Sequence, residues 1–76
     1  MDLNLIFNLL TRHPGWRVMI NYGPIGVTEN VMWIEIITPT DYHYRFAVDK
    51  LHRNDNGYLD FCLAEAQYTL SQPGKQ

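Results

Sequence analysis

Two apolar patterns meet around a short polar break in VMWIEIITPTDYHYRFAVD, Val31 to Asp49, and the parity of that break constrains the fold more than any other feature. Tyr42, Tyr44, Phe46 and Val48 alternate with His43, Arg45, Ala47 and Asp49, the period-two signature of a half-buried strand. The preceding strand is apolar on both sides, with Met32, Ile34 and Ile36 on one and Val31, Trp33 and Ile37, together with Glu35, on the other. A two-residue loop would set Ile36 against His43 and throw the two buried rows onto opposite faces, because a slip of one residue flips every side chain. An odd loop is required. Pro39, Thr40 and Asp41 supply three residues, which places Glu35 opposite Arg45, Ile37 opposite His43 and Trp33 opposite Ala47.

The flanking segments complete an α+β domain. From Asp2 to Arg12, Leu3, Ile6, Phe7 and Leu10 recur at helical spacing, with Leu5 and Leu9 widening the stripe. His13, Pro14 and Gly15 stop that helix. Arg17 to Tyr22 alternates again, Val18, Ile20 and Tyr22 against Arg17, Met19 and Asn21, and reads as a first strand. Gly23, Pro24 and Gly26 mark a turn region that Glu29 and Asn30 continue. After Asp49 a polar stretch offers Asn54, Asp55 and Asn56 as helix caps. Tyr58 to Leu70 is then a helix with Leu59, Cys62, Leu63, Ala66 and Leu70 on one stripe and Tyr58, Phe61, Glu65 and Tyr68 on a neighbouring one.

The expected architecture is therefore helix, three-stranded antiparallel meander, helix (αβββα), with both helices on one face of the sheet. Residues 1–71 form one small domain, and 72–76, which hold Pro73 and Gly74, form a disordered tail. The uncovered sheet face then presents Arg17, Met19, Asn21, Trp33, Glu35, Ile37, His43 and Arg45. It is left to solvent, to a covering loop over 23–30, or to a partner, unless it is itself the core face. Trp, Met, Ile and Arg in one patch match the make-up of interface centres.

Composition narrows the function classes. The 76 residues carry 46% hydrophobic and 18% charged residues, too apolar and too lightly charged for a disordered chain. Six Lys and Arg, scattered and outnumbered by eight acids, give a net charge of −2, which argues against nucleic acid as main ligand and against an anionic membrane. The amino-terminal apolar run opens with Asp2 and is too short to span a bilayer, so neither a signal peptide nor a membrane anchor is expected. Cys62 is the single cysteine, which excludes an internal disulfide and fits a reducing cytoplasm.

No pattern names a chemistry. His13, His43 and His52 are not a helical turn apart, and none lies within two residues of Cys62, so no metal-ligand spacing exists. His43, between Asp41 and Arg45, has the residue types of a general base but no pocket. Cys62 sits among apolar helix residues, the setting of an inert thiol. NYGPIGVTEN contains glycines but lacks the Lys and following helix of a phosphate loop. No catalytic residue, cofactor or metal is expected.

The element order resembles that of double-stranded-RNA-binding domains and of small toxins built on the same plan. The first resemblance implies a Lys-rich start to the last helix, where this chain has Asn54, Asp55 and Asn56. The second implies a His after a Gly-Ser pair, which does not occur. The reading that remains is a non-enzymatic cytoplasmic protein-binding module, of the kind seen in inhibitors, immunity-like proteins and phage or mobile-element blockers of host systems. Its partner-binding residues are Trp33, Ile37, Met19 and Arg45, with Glu35, His43 and Arg17 around them. The alternatives are a structural homodimer or adaptor subunit, and a degenerate nucleic-acid binder whose affinity would fall steeply with salt.

Overall fold

The computed structural model describes residues 2–25 and 29–72. It contains α1 (Leu3–Arg12), β1 (Arg17–Ile25), β2 (Glu29–Ile37), β3 (His43–Val48) and α2 (Asn56–Leu70). The strands form one antiparallel sheet in the order β1-β2-β3, the αβββα layout the periodicities predict. The expected tail beyond Gln72, and the centre of the β1 to β2 turn, lie outside the described residues.

Both helices start where a carboxylate can accept from an unpaired amide. Asp2 caps α1, its Oδ1 accepting from the Asn4 N–H at 2.9 Å. Asp55, one of the three residues suited to capping, caps α2 by accepting from the Tyr58 N–H at 3.1 Å. The helix therefore begins two residues before Tyr58. The Asp2 N–H donates to Asn56 Oδ1 at 3.0 Å, joining the two helix starts.

The β2 to β3 register is the expected one, with Trp33 opposite Ala47, Glu35 opposite Arg45 and Ile37 opposite His43. The Thr38 N–H donates to the Tyr42 carbonyl at 2.9 Å and continues the ladder by one pair, so the loop proper is Pro39, Thr40 and Asp41. The Asp41 N–H closes a turn on the Thr38 carbonyl, and Asp41 itself has φ 68. A turn followed by one left-handed residue is the usual three-residue hairpin solution, and Asp tolerates that conformation better than most side chains. The Thr38 side chain is fully buried and its Oγ1 accepts from the Tyr42 N–H at 3.1 Å.

The first hairpin departs from the sequence reading. Gly23, Pro24, Glu29 and Asn30, expected in a turn, continue the two strands, so β1 runs to Ile25 and β2 starts at Glu29. Proline is compatible with this strand because its missing N–H falls on the outer edge of the sheet.

The core fills the space between the helices and the inner face of β2 and β3. Ile6 and Leu9 of α1, Ile34 and Ile36, Phe46 and Val48, and the α2 stripe Leu59, Cys62, Leu63, Ala66 and Leu70 form one cluster. Each fully buried Leu or Ile contributes about 1.5–3 kcal/mol, which is how so short a chain can hold a fold. α2 packs against β3 and α1 against α2. The layer is too narrow to cover β1. Val18 reaches the core, but Ile20 is 46% exposed and Tyr22 is 60% exposed. The expectation that the whole inner row of β1 is buried is thereby corrected.

Candidate functional site

The outer face carries three parallel rows: Arg17, Met19, Asn21 and Gly23 on β1; Val31, Trp33, Glu35 and Ile37 on β2; His43, Arg45 and Ala47 on β3. Alternation places all of them on the side away from the helices. Within that face the side chains meet along one diagonal instead of straight across.

Trp33 lies opposite Ala47, yet the Arg45 guanidinium carbon sits 4.3 Å from the centroid of its ring. On the other side the indole lies over Gly23, where an added Cβ would come within 3.4 Å of Trp33 Cδ1. At that distance a Cβ would make ordinary van der Waals contact with the indole. Glu35, expected to pair with Arg45 opposite, meets His43 instead, with Oε2 3.3 Å from Nδ1. The straight Glu35 to Arg45 pair is replaced because each side chain finds a better diagonal neighbour: an aromatic face for the guanidinium and an imidazole for the carboxylate. His43 Nε2 lies 3.1 Å from Asp41 Oδ1, so both ring nitrogens face carboxylates. Those hydrogen bonds, Asp41's foremost and Glu35's second, raise the His43 pKa, with slight desolvation opposing.

The expected partner-binding residues divide on this geometry. Met19 is 48% exposed, Arg17, His43 and Arg45 are exposed, and Trp33 and Glu35 are half-buried. Ile37 is only 3% exposed, and Val31 at the other end of its row is equally covered. Both lie outside the helix-side cluster. Ile37 therefore cannot be an exposed anchor, and the accessible apolar surface of this face belongs to Met19 and Trp33.

The three histidines are separate and engaged. His13 stacks on Trp16 with centroids 4.0 Å apart and rings nearly parallel, and its Nε2 is 3.1 Å from Gln67 Oε1, which ties the end of α1 to α2. His52 Nδ1 is 2.7 Å from Asp49 Oδ1, and its ring stands 4.2 Å from that of Tyr58. Among the described residues no group of three His, Cys, Asp or Glu could hold a metal ion. Burial pushes the Cys62 thiol pKa up, so near neutral pH it stays protonated and poorly nucleophilic. The residues from Tyr22 to Ile25 are extended strand, the wrong geometry for a phosphate cradle.

Two further surfaces carry apolar side chains. On α2 the Tyr58 hydroxyl donates to the Ala47 carbonyl at 2.8 Å, whereas Phe61 and Tyr68 of the same stripe are largely exposed. On β1, Ile20 and Tyr22 face the helix side but lie beyond its cover. Alternation alone put Ile20 and Tyr22 in the core; the width of a two-helix layer was the signal against it. No helix among the described residues is long and apolar enough to cross a membrane. No family model, no curated protein and no solved structure matches the chain.

Proposed function

We propose that this protein is a non-enzymatic binding module that occludes or modulates a partner protein through the outer face of its sheet. The observation that carries the reading is the Arg45 guanidinium stacked on Trp33 in the same face as the half-exposed Met19. An aromatic residue and an Arg already stacked on one another resemble the residues that dominate interface energies, and such prior packing lowers the entropy lost on binding. Arg17, Glu35 and His43 form the polar rim. Ile37, in the same row but covered, is left out of the contact set.

The test is quantitative capture with wild type, Trp33→Ala, Met19→Glu and the opposite-face double variant Phe61→Ala/Tyr68→Ala, each first shown folded by its amide spectrum. A partner held by wild type and the α2 variant but lost by Trp33→Ala and Met19→Glu supports the reading. Retention by both sheet variants with loss by the α2 variant would move the site to α2 and sink it. Should Trp33→Ala unfold, Trp33 belongs to the structural core and Met19→Glu decides alone.

A further inference from the structure

Hydrogen bonding across the sheet fixes which way every β1 peptide points. The Thr38 N–H bonds to Tyr42, so the even-numbered residues of β2 direct their N–H and C=O towards β3. The odd-numbered ones point to β1, and their partners there are also odd: Arg17, Met19, Asn21 and Gly23. Val18, Ile20, Tyr22 and Pro24 consequently direct their backbone groups outward, away from β2. Pro24, which has no N–H, falls in that outward set as it must.

Apart from Pro24 near its far end, this edge lacks the devices that normally blunt a free strand. β1 is nine residues long, pairs with β2 without a bulge from Arg17 to Ile25, and carries one charged residue, Arg17. Half-exposed apolar side chains flank it on both faces, Met19 on one and Ile20 with Tyr22 on the other. We propose that the β1 edge is a self-association surface on which a second copy of this chain pairs its own β1 antiparallel, about a two-fold axis at Ile20.

That register joins Val18 to Tyr22 of the second copy, Ile20 to Ile20, and Tyr22 to Val18. All three outward N–H groups gain carbonyl partners, and the pairing ends at Pro24, which lies opposite Trp16 of the second copy and has no N–H to give. The helix-side row becomes six apolar side chains between the two helical layers. The two Arg17 side chains stand six residues apart along the junction, about 20 Å, so the charges do not oppose each other directly. The product is one six-stranded sheet whose outer face displays two copies of the Trp33 and Arg45 pair. A contact of one strand and its flanking rows lies at the small end of stable interfaces, so dimerisation belongs in the micromolar range. The inference stands apart from the partner-binding reading, because Trp33→Ala leaves this edge intact.

Sedimentation equilibrium from about 10 to about 500 µM, with amide hydrogen exchange at both ends of the range, tests it. The wild-type mass is expected to climb from 8.9 kDa towards twice that value, while the Val18, Ile20 and Tyr22 amides become at least about tenfold better protected. Ile20→Pro removes an outward N–H without touching the β1 to β2 ladder, and Ile20→Lys sets two cations together on the axis; each should keep the protein a folded monomer. A wild type that stays monomeric overturns the proposal, as does a dimer that survives in both folded variants. If neither variant folds, the wild-type amides decide, and a dimer that leaves those three unprotected overturns it.

Discussion

The two edges of this sheet solve the same problem differently. β3 is six residues long, and Phe46 and Val48 lie in the core with α2 packed over the strand. Its outer side is a lattice of Arg45 on Trp33 and His43 between Glu35 and Asp41. β1 is nine residues long, with Val18 packed against the core and with Met19, Ile20 and Tyr22 about half exposed. Its inner row is steadied instead by Arg53, which donates to the Tyr22 hydroxyl. One edge is stabilised within the chain. The other leaves apolar side chains exposed on both of its faces.

The sharpest way to break this contrast is to truncate one inner-row residue on each edge. Phe46→Ala should cost about 3–5 kcal/mol, because the cavity lies inside the packed cluster. For a domain this small that is most of its stability. Ile20→Ala, measured in urea at concentrations where the chain is monomeric, should cost about 1 kcal/mol or less, since half of the side chain is already in water. Comparable costs would mean that the helical layer reaches β1 and that the edges are alike.

A middle-sized effect belongs to the place where the edges are referenced to each other. Gly15, just before β1, has φ 90, and a Cβ on it would lie 2.9 Å from Pro39 Cγ in the loop before β3. Gly15→Ala should cost about 1–2 kcal/mol from the left-handed backbone alone, with the Pro39 contact adding to it. Repeating the substitution in a Pro39→Ala background separates the two causes. Recovery of part of the loss assigns that part to the contact, and no recovery assigns all of it to φ.

What could be read from the sequence follows the same division. The β3 side was legible because two alternating rows must share one face, so parity alone set the pairing of Glu35 with Arg45 and Ile37 with His43. The α2 stripe was legible for the same reason, since its spacing names one buried face. The β1 side was not. Gly23 and Pro24 are the strongest turn signals in the chain, and only the hydrogen-bond parity of the assembled sheet shows that proline is harmless there. Nor does alternation say how far two helices extend, or that Glu35 and Trp33 choose diagonal partners over those facing them. The cover over Ile37 depends on the same tertiary detail.

The smallest effect tests the polar lattice that distinguishes the β3 edge. His43 accepts a proton more readily than a free imidazole because Asp41 and Glu35 flank its two ring nitrogens. Its folded pKa is above the ordinary 6.5, so its contribution to stability is full below 6.5 and is lost as pH rises through the raised folded value. Solvent exposure keeps that contribution small. Ring-proton NMR should place the His43 midpoint above 6.5, and Asp41→Asn should lower it more than Glu35→Gln, since the Asp41 hydrogen bond is the larger cause. A midpoint at or below 6.5 would mean that the carboxylates do not hold the ring in solution. The reverse order of the two variants would put the dominant contact across the strands at Glu35, making the lattice a property of the sheet instead of its hairpin loop.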